Sequence, residues 1–212
     1  MKRKLVILDP GHGGLNPNTC KYTTGRKKLY KHEGEWFDGH DGDTFYEGVW
    51  NRDIIRRVIR LLKKNDIPYR TTVEESDEVL WNNDFGLMER IYFANHLHRN
   101  YDCIYLSCHA NAYNGEVTGF ETHSHKNSKV SNELADGFYE HLRELFFFDR
   151  IKPRSKKHNH RLAVIKYTKM PAVLLEHGFF DVRKEALELN KIPTKTIIAQ
   201  AWFRVIKDWY EK

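Results

Sequence analysis

Apolar and polar positions along this chain fall into blocks whose period switches between that of a strand and that of a helix. Residues 5–8 are four consecutive apolar side chains, the pattern of a strand buried on both faces. They stop at a turn of Asp9, Pro10, Gly11, His12, Gly13 and Gly14. From Trp50 the spacing becomes helical. Ile54, Ile55, Val58, Ile59, Leu61 and Leu62 recur on one side, with Arg56, Arg57, Arg60, Lys63 and Lys64 opposite. Asn65 and Asp66 stop that helix, and 67–72 reads as a second strand. A helix over about 85–97 presents Leu87, Ile91, Ala94 and Leu97. Residues 101–108 are β-rich and end at His109, and 119–123 form a short strand after an Asn114-Gly115 turn. A helix over about 130–146 carries Leu134, Phe138, Leu142 and Leu145. Residues 162–165 and 172–175 read as further strands, the latter ending at Glu176, His177 and Gly178. Helices near 183–189 and 195–210 close the chain.

Strands alternating with helices predict the α/β class: a single three-layer domain, its twisted, mostly parallel (mixed) sheet covered by helices on both faces. The 212 residues suit one core of this kind. One stretch shows no period. Residues 16–44 are polar and glycine-rich, with Tyr22, Tyr30, Trp36 and Phe37 interspersed, and they predict a long loop insertion over 16–46. His32 and His40 within it read as surface histidines.

Composition removes several function classes. Apolar residues make up 40% and charged residues 30%, an ordinary globular balance. No apolar run approaches the roughly 18 residues needed to span a bilayer, so membrane insertion is not expected. The basic start at residues 2–4 leads into an apolar run too short for an export signal, which predicts synthesis in the cytoplasm. Cys20, Cys103 and Cys108 are too sparse, and wrongly spaced, for a disulfide framework, and read as buried thiols. The formal net charge of +6 favours polyanions in general. Its densest run, KPRSKKHNHR at 152–161, reads as an exposed, solvated loop. No nucleic-acid-binding motif accompanies the charge, so no nucleic-acid partner is expected. A monomer is expected.

Candidate chemistry changes the picture more. His12, His109 and Glu176 each follow an apolar strand, and Glu47 begins a helix. In an open α/β sheet the carboxyl ends of the strands line one crevice, so residues far apart in sequence meet there. Two histidines and one carboxylate make the ligand set of a catalytic zinc with a fourth position open to water. A further carboxylate off the metal takes a proton from that water. Singly, each residue has an ordinary explanation: a core histidine, or a glutamate facing a helix dipole. Their joint placement favours a zinc hydrolase.

DPGHGG at 9–14, Glu47 with Asn51 four residues on, SCHANA at 107–112, GFET at 119–122 and MPAVLLEHGFF at 170–180 together resemble the zinc-dependent N-acetylmuramoyl-L-alanine amidases of the amidase-3 type. Order and approximate spacing agree over almost the whole chain, and LMERIYFAN at 87–95 resembles the family's helix before the second histidine strand. The resemblance implies that His12, Glu47 and His109 bind zinc and that Glu176 is the catalytic carboxylate. It implies peptidoglycan as substrate, cut at the amide between the lactyl group of N-acetylmuramic acid and L-alanine. Asn111 and Glu121 are expected to shape the site or the stem-peptide groove. His177 is an alternative ligand, disfavoured because adjacent strand residues point to opposite faces. The interval between His12 and Glu47 is longer than the family usually has. Its aromatics suit contact with glycan or a cover over the cleft, and Glu33 and Glu35 are the fallback ligands for Glu47. Residues 1–212 are read as a single catalytic domain without a separate wall-binding domain. That arrangement resembles a bacteriophage endolysin, reaching the wall by holin-type or lytic release. Two other readings stay open: a zinc peptidase cutting stem or cross-bridge peptides, and a non-catalytic wall-binding or regulatory domain of the same fold.

Overall fold

β1 (Lys4–Pro10) lies inside a six-stranded sheet, flanked by β4 (Tyr69–Thr71) and β5 (Asp102–Asn111), both parallel to it. The structure is a computed structural model that describes residues 2–14, 27–30, 44–73, 86–145, 151, 153–158 and 161–212. Beyond β5 come β8 (Ala172–Phe179), β6 (Phe120–Ser124) and β7 (Pro153–His158), giving the order β4-β1-β5-β8-β6-β7. Every neighbouring pair is parallel except β6 and β8.

Strand parity divides the core in two. Val6, Leu8, Ile104, Leu106, Val173 and Leu175 face one side of the sheet. They pack there against α1 (Glu47–Lys64), α3 (Lys129–Leu145), α5 (Arg183–Asn190) and α6 (Ile192–Glu211). Leu5, Ile7, Cys103, Tyr105, Ala172 and Leu174 face the other side, under α2 (Leu87–His98) and α4 (Ala163–Tyr167). Each fully buried aliphatic side chain contributes roughly 1.5–3 kcal/mol, so the register of the central strands is strongly specified. Followed towards the strands' carboxyl ends, the α2/α4 side turns polar: the alternation assigns Asp9, Ser107, His109 and Glu176 to it. The expected three-layer, mostly parallel mixed sheet is thus the observed one.

Several local expectations change. Strands β5 and β8 run on through Asn111 and Phe179, so His109 and Glu176 lie within strands rather than past their ends. Residues 162–165, expected as a strand, open α4 instead: the N–H groups of Ile165 and Lys166 donate to the Leu162 carbonyl. Both edges of β8 are already taken by β5 and β6, and a four-residue apolar run has no period that distinguishes strand from helix. The basic run expected as a solvated loop contains β7, a parallel edge strand beside β6 with proline at its first position. Within the expected 16–46 loop, β2 (Lys27–Leu29) and β3 (Thr44–Tyr46) pair as an antiparallel ribbon. Cys20, His32, Glu33, Glu35, Trp36, Phe37 and His40 lie outside the described residues. Cys103 and Cys108 are buried and free. No helix among the described residues is long and apolar enough to cross a membrane.

Candidate metal centre

His12 sits just past β1 with φ of 62°, a left-handed conformation that is uncommon for a non-glycine residue. Two arginines hold it there. Its carbonyl accepts a hydrogen bond from Arg90 Nη2 at 2.8 Å and another from Arg52 Nη1 at 2.9 Å. Arg90 is itself buried and paired with Asp9 at 2.7 Å, and it also donates to the Pro10 carbonyl. The Asp9 carboxylate accepts from Thr72 and Ser107 as well. Burial pushes the Asp9 carboxyl up, but Arg90 and the two hydroxyls outweigh it and bring it down to about 2. Asn51 Nδ2 donates to the Gly11 carbonyl at 3.0 Å. Gly11 has no substitute: a Cβ there would lie 2.1 Å from the His109 ring.

Glu47 arrives from the first turn of α1, and its carboxylate joins the two imidazoles. Oε2 lies 3.1 Å from His12 Nε2, and Oε1 lies 2.9 Å from His109 Nδ1. The Ala110 N–H donates to the same Oε1. The two rings meet edge to face with centroids 4.9 Å apart. Glu47 is 2% exposed. Burial pushes its carboxyl up, and the hydrogen bonds and charge of His109 and His12 prevail, bringing it to about 2. Burial pushes His109 down, but Glu47 overrides this and leaves the ring raised. Each of the three residues offers one donor atom, and these atoms all lie within 4.8 Å of one another. Ligands of a tetrahedral zinc at roughly 2.0–2.2 Å stand about 3.4 Å apart, so the trio fits such an ion with little rearrangement. Two nitrogens and one oxygen are a donor set suited to zinc, and His12, 33% exposed, leaves a side open to solvent.

Glu176 is the ladder neighbour of His109, and Glu121 is the neighbour of Glu176 on its other side. Ser155 of β7 continues the line. His109, Glu176, Glu121 and Ser155 therefore form one rung across four strands, each step about 4.8 Å. Asn111 is half-buried, with Nδ2 3.5 Å from Glu121 Oε2. Glu121 is buried and heavily engaged. Its Oε1 meets Arg154 Nε at 2.8 Å and Lys157 Nζ at 2.6 Å, and its Oε2 lies 3.4 Å from His123 Nε2. Burial pushes this carboxyl up, while His123 and Lys157 bring it down to about 2. Glu121 thus anchors the basic edge strand to the rung. His177 is not brought into the cluster. It points to the opposite face, donates from Nδ1 to the His109 carbonyl at 2.9 Å and accepts at Nε2 from the Trp202 indole at 2.9 Å.

A cleft of about 370 Å³ opens beside the trio, lined by Gly11, His12 and His109 and by apolar Leu87, Leu162 and Leu174. A larger cavity of about 860 Å³ runs along β4 and α2, past Tyr69 and Phe93, and includes no member of the trio or of the rung. His12 and His109 border the smaller one.

The family model of the N-acetylmuramoyl-L-alanine amidases, amidase-3, matches residues 6–208. The chain belongs to this family. Over 220 residues this amidase-family chain is 27% identical to an uncharacterised cell wall amidase of Bacillus anthracis, covering 100% of this chain and 36% of that protein. It is 26% identical over 200 residues to the endolysin of Bacillus phage SPP1, covering 89% of this chain and 59% of that protein. The chain therefore spans less than two thirds of either relative. Among solved structures, the catalytic domain of CwlV, an N-acetylmuramoyl-L-alanine amidase from Bacillus (Paenibacillus) polymyxa var. colistinus, has the same fold. Its TM-score is 0.75 at 22% identity, with 98% of both chains covered.

Sequence reasoning missed the arginines that hold the amidase-family turn. A signal existed: Arg90 falls on the same side of α2 as Ile91 and Ala94, and Arg52 on the same side of α1 as Ile55 and Ile59. A cation on the apolar face of a helix needs a buried acceptor. It also missed Arg154 and Lys157, because a basic run carries no sign of the acid it pairs with.

Proposed function

We propose that this chain is a zinc-dependent peptidoglycan hydrolase that cuts the amide between the lactyl group of N-acetylmuramic acid and L-alanine. His12, Glu47 and His109 hold the ion, and Glu176 is the general base. The observation that carries this reading is a juxtaposition in a chain of the amidase family: the His/Glu/His trio gathers from the β1 turn, α1 and β5, and the half-buried Glu176 is the cross-strand neighbour of its His109. When bound, zinc supplies a Lewis acid for the amide carbonyl and lowers the pKa of water.

The remaining work falls to side chains. Arg90, Arg52 and Asp9 keep the His12 turn in its left-handed conformation, so its ring stays aimed at Glu47. The Glu47 carboxylate faces one ring nitrogen of each imidazole, so the three donor groups converge on one point. Glu176 accepts the proton of the attacking water and returns it to the leaving nitrogen as the C–N bond breaks, so the alanine departs as a neutral amine. Leu87, Leu162 and Leu174 exclude water from one wall of the cleft, which strengthens the electrostatics within it. The net charge of +6 favours residence on an anionic wall polymer. Residues 1–212 act as the catalytic unit, which reaches the wall by holin-type or lytic release, as the endolysin-like reading implies.

Digestion of purified peptidoglycan by the zinc-loaded chain tests the reading. New L-alanine amino termini paired with free lactyl carboxylates are expected. Cuts within the stem or cross-bridge would assign the chain to the peptidases, and zinc-loaded chain that binds wall without cutting it would assign it to the non-catalytic domains.

A further inference from the structure

Two cations stand at the far end of the rung, and one acid does not account for them. Arg154 and Lys157 both address a single oxygen of Glu121. The other lysine of the strand, Lys156, is taken by Asp136 at 3.0 Å and lies over the Tyr139 ring, on the opposite face. Two permanent positive charges share one directly paired carboxylate, Glu121, and Glu176 on the next strand is a second acid of this face. Both side chains are accessible, Arg154 at 42% and Lys157 at 44%, so both cations reach solvent. Arg154 engages Glu121 through Nε alone, and among the described residues no hydrogen bond occupies its two Nη atoms.

Backbone geometry puts Arg154 there. Phe120 pairs with Pro153 and Glu121 pairs with Ser155, so Arg154 is the extra residue of a β-bulge. Without the bulge, strand alternation would send Arg154 to the face opposite Ser155 and Lys157. Bulges of this kind re-aim a side chain and recur beside active sites. The Phe179 ring, 5.8 Å from the guanidinium carbon, supports it from the end of β8.

We propose that Arg154 and Lys157 form a carboxylate-binding subsite for the peptide product side of the substrate, selecting stems whose second residue carries a free α-carboxylate. The inference rests on the amidase reading above. The cationic heads gather at Glu121, one strand spacing of about 4.8 Å from Glu176. An extended peptide advances about 3.3–3.6 Å per residue. A charge placed there meets the residue that follows L-alanine, one to two residues beyond the scissile nitrogen. The free Nη pair suits bidentate capture of a carboxylate, with Lys157 adding a point charge. Glu121 holds both cations in place and blocks their collapse onto Glu176.

Two stem peptides, identical but for a free or an amidated α-carboxyl on the second residue, test this by calorimetry on the metal-free chain. The matching muramoyl peptides test it by kcat/KM on the zinc-loaded chain. Wild type is expected to favour the free acid about tenfold in both measurements, with the preference shrinking at high salt. R154Q and K157Q are expected to remove most of that preference while leaving the amidated ligand unchanged. K157Q keeps Arg154 on Glu121, so it serves even where R154Q is destabilised. Equal wild-type affinity for the two peptides overturns the subsite. So does an equal loss on both ligands in a variant with an unchanged melting temperature. Failure of the zinc-loaded wild type to cut either muramoyl peptide at the lactyl-alanine amide would sink the amidase reading instead. The calorimetric preference stands or falls separately from it.

Discussion

His109 and His177 lie on neighbouring strands at nearly the same height, yet they inhabit opposite faces of one sheet. His109 shares the polar side with Glu176, and the Glu47 carboxylate reaching it from the first turn of α1 leaves the imidazole raised. His177 is fully buried on the apolar side, stacked near Trp202, and burial takes it down to about 4. A single-residue step, from Glu176 to His177, separates the two environments. Parity along the strand, more than residue type, decides which histidine is available for chemistry. The contrast extends to the surroundings. The α1/α3/α6 side is filled with aliphatic and aromatic groups, while the α2/α4 side gives way to acids, hydroxyls and arginines at its upper end.

The contrast is broken most severely at Glu176. Glu176→Gln is expected to lower kcat by about 10²–10⁴ while zinc content and wall binding are kept. A turnover assay beside metal analysis checks this, and wild-type turnover would remove Glu176 from the mechanism. Next comes the histidine pair itself. His109→Ala is expected to lose zinc with the fold intact. His177→Ala is expected to keep zinc and lose roughly 2–4 kcal/mol of stability, from a cavity and an unpartnered Trp202 indole. Urea unfolding with metal analysis separates the two, and a folded His177→Ala chain without zinc would overturn the face assignment.

The smallest effect sharpens the polar side alone. Asp9 has a folded value of about 2 against an ordinary 3.8, so it contributes stability present above about pH 4 and lost as pH falls through 2. That amounts to about 2 kcal/mol. The metal-free chain should weaken between about pH 5 and pH 2. Asp9→Asn, less stable at neutral pH because it strands Arg90, should show a flatter acid limb. Urea midpoints at pH 7 and pH 3 read the difference, and parallel limbs would refute it.

Much of this was legible beforehand, for identifiable reasons. The buried strands and amphipathic helices declare themselves because one period holds over many residues, as in 5–8 and 54–62. The two histidines and the glutamates were legible as candidates because they follow apolar runs or begin a helix, but only the resemblance to the amidase family singled out His12, Glu47 and His109 as the trio. β7 was hidden because its strand character comes from Glu121 across the ladder, not from its own composition. α4 was hidden because four apolar residues carry no period. The clamp on His12 was hidden because its acceptor is a backbone carbonyl, which every residue has.

The rims of the sheet carry a last consequence. One margin, β4, is only three residues long and displays Arg70, while the other, β7, opens on a proline and carries Arg154, Lys156 and Lys157. A foreign strand docking on either would have to strip water from cations that gain nothing from the encounter. Edge-to-edge pairing of two copies through either margin is thereby disfavoured.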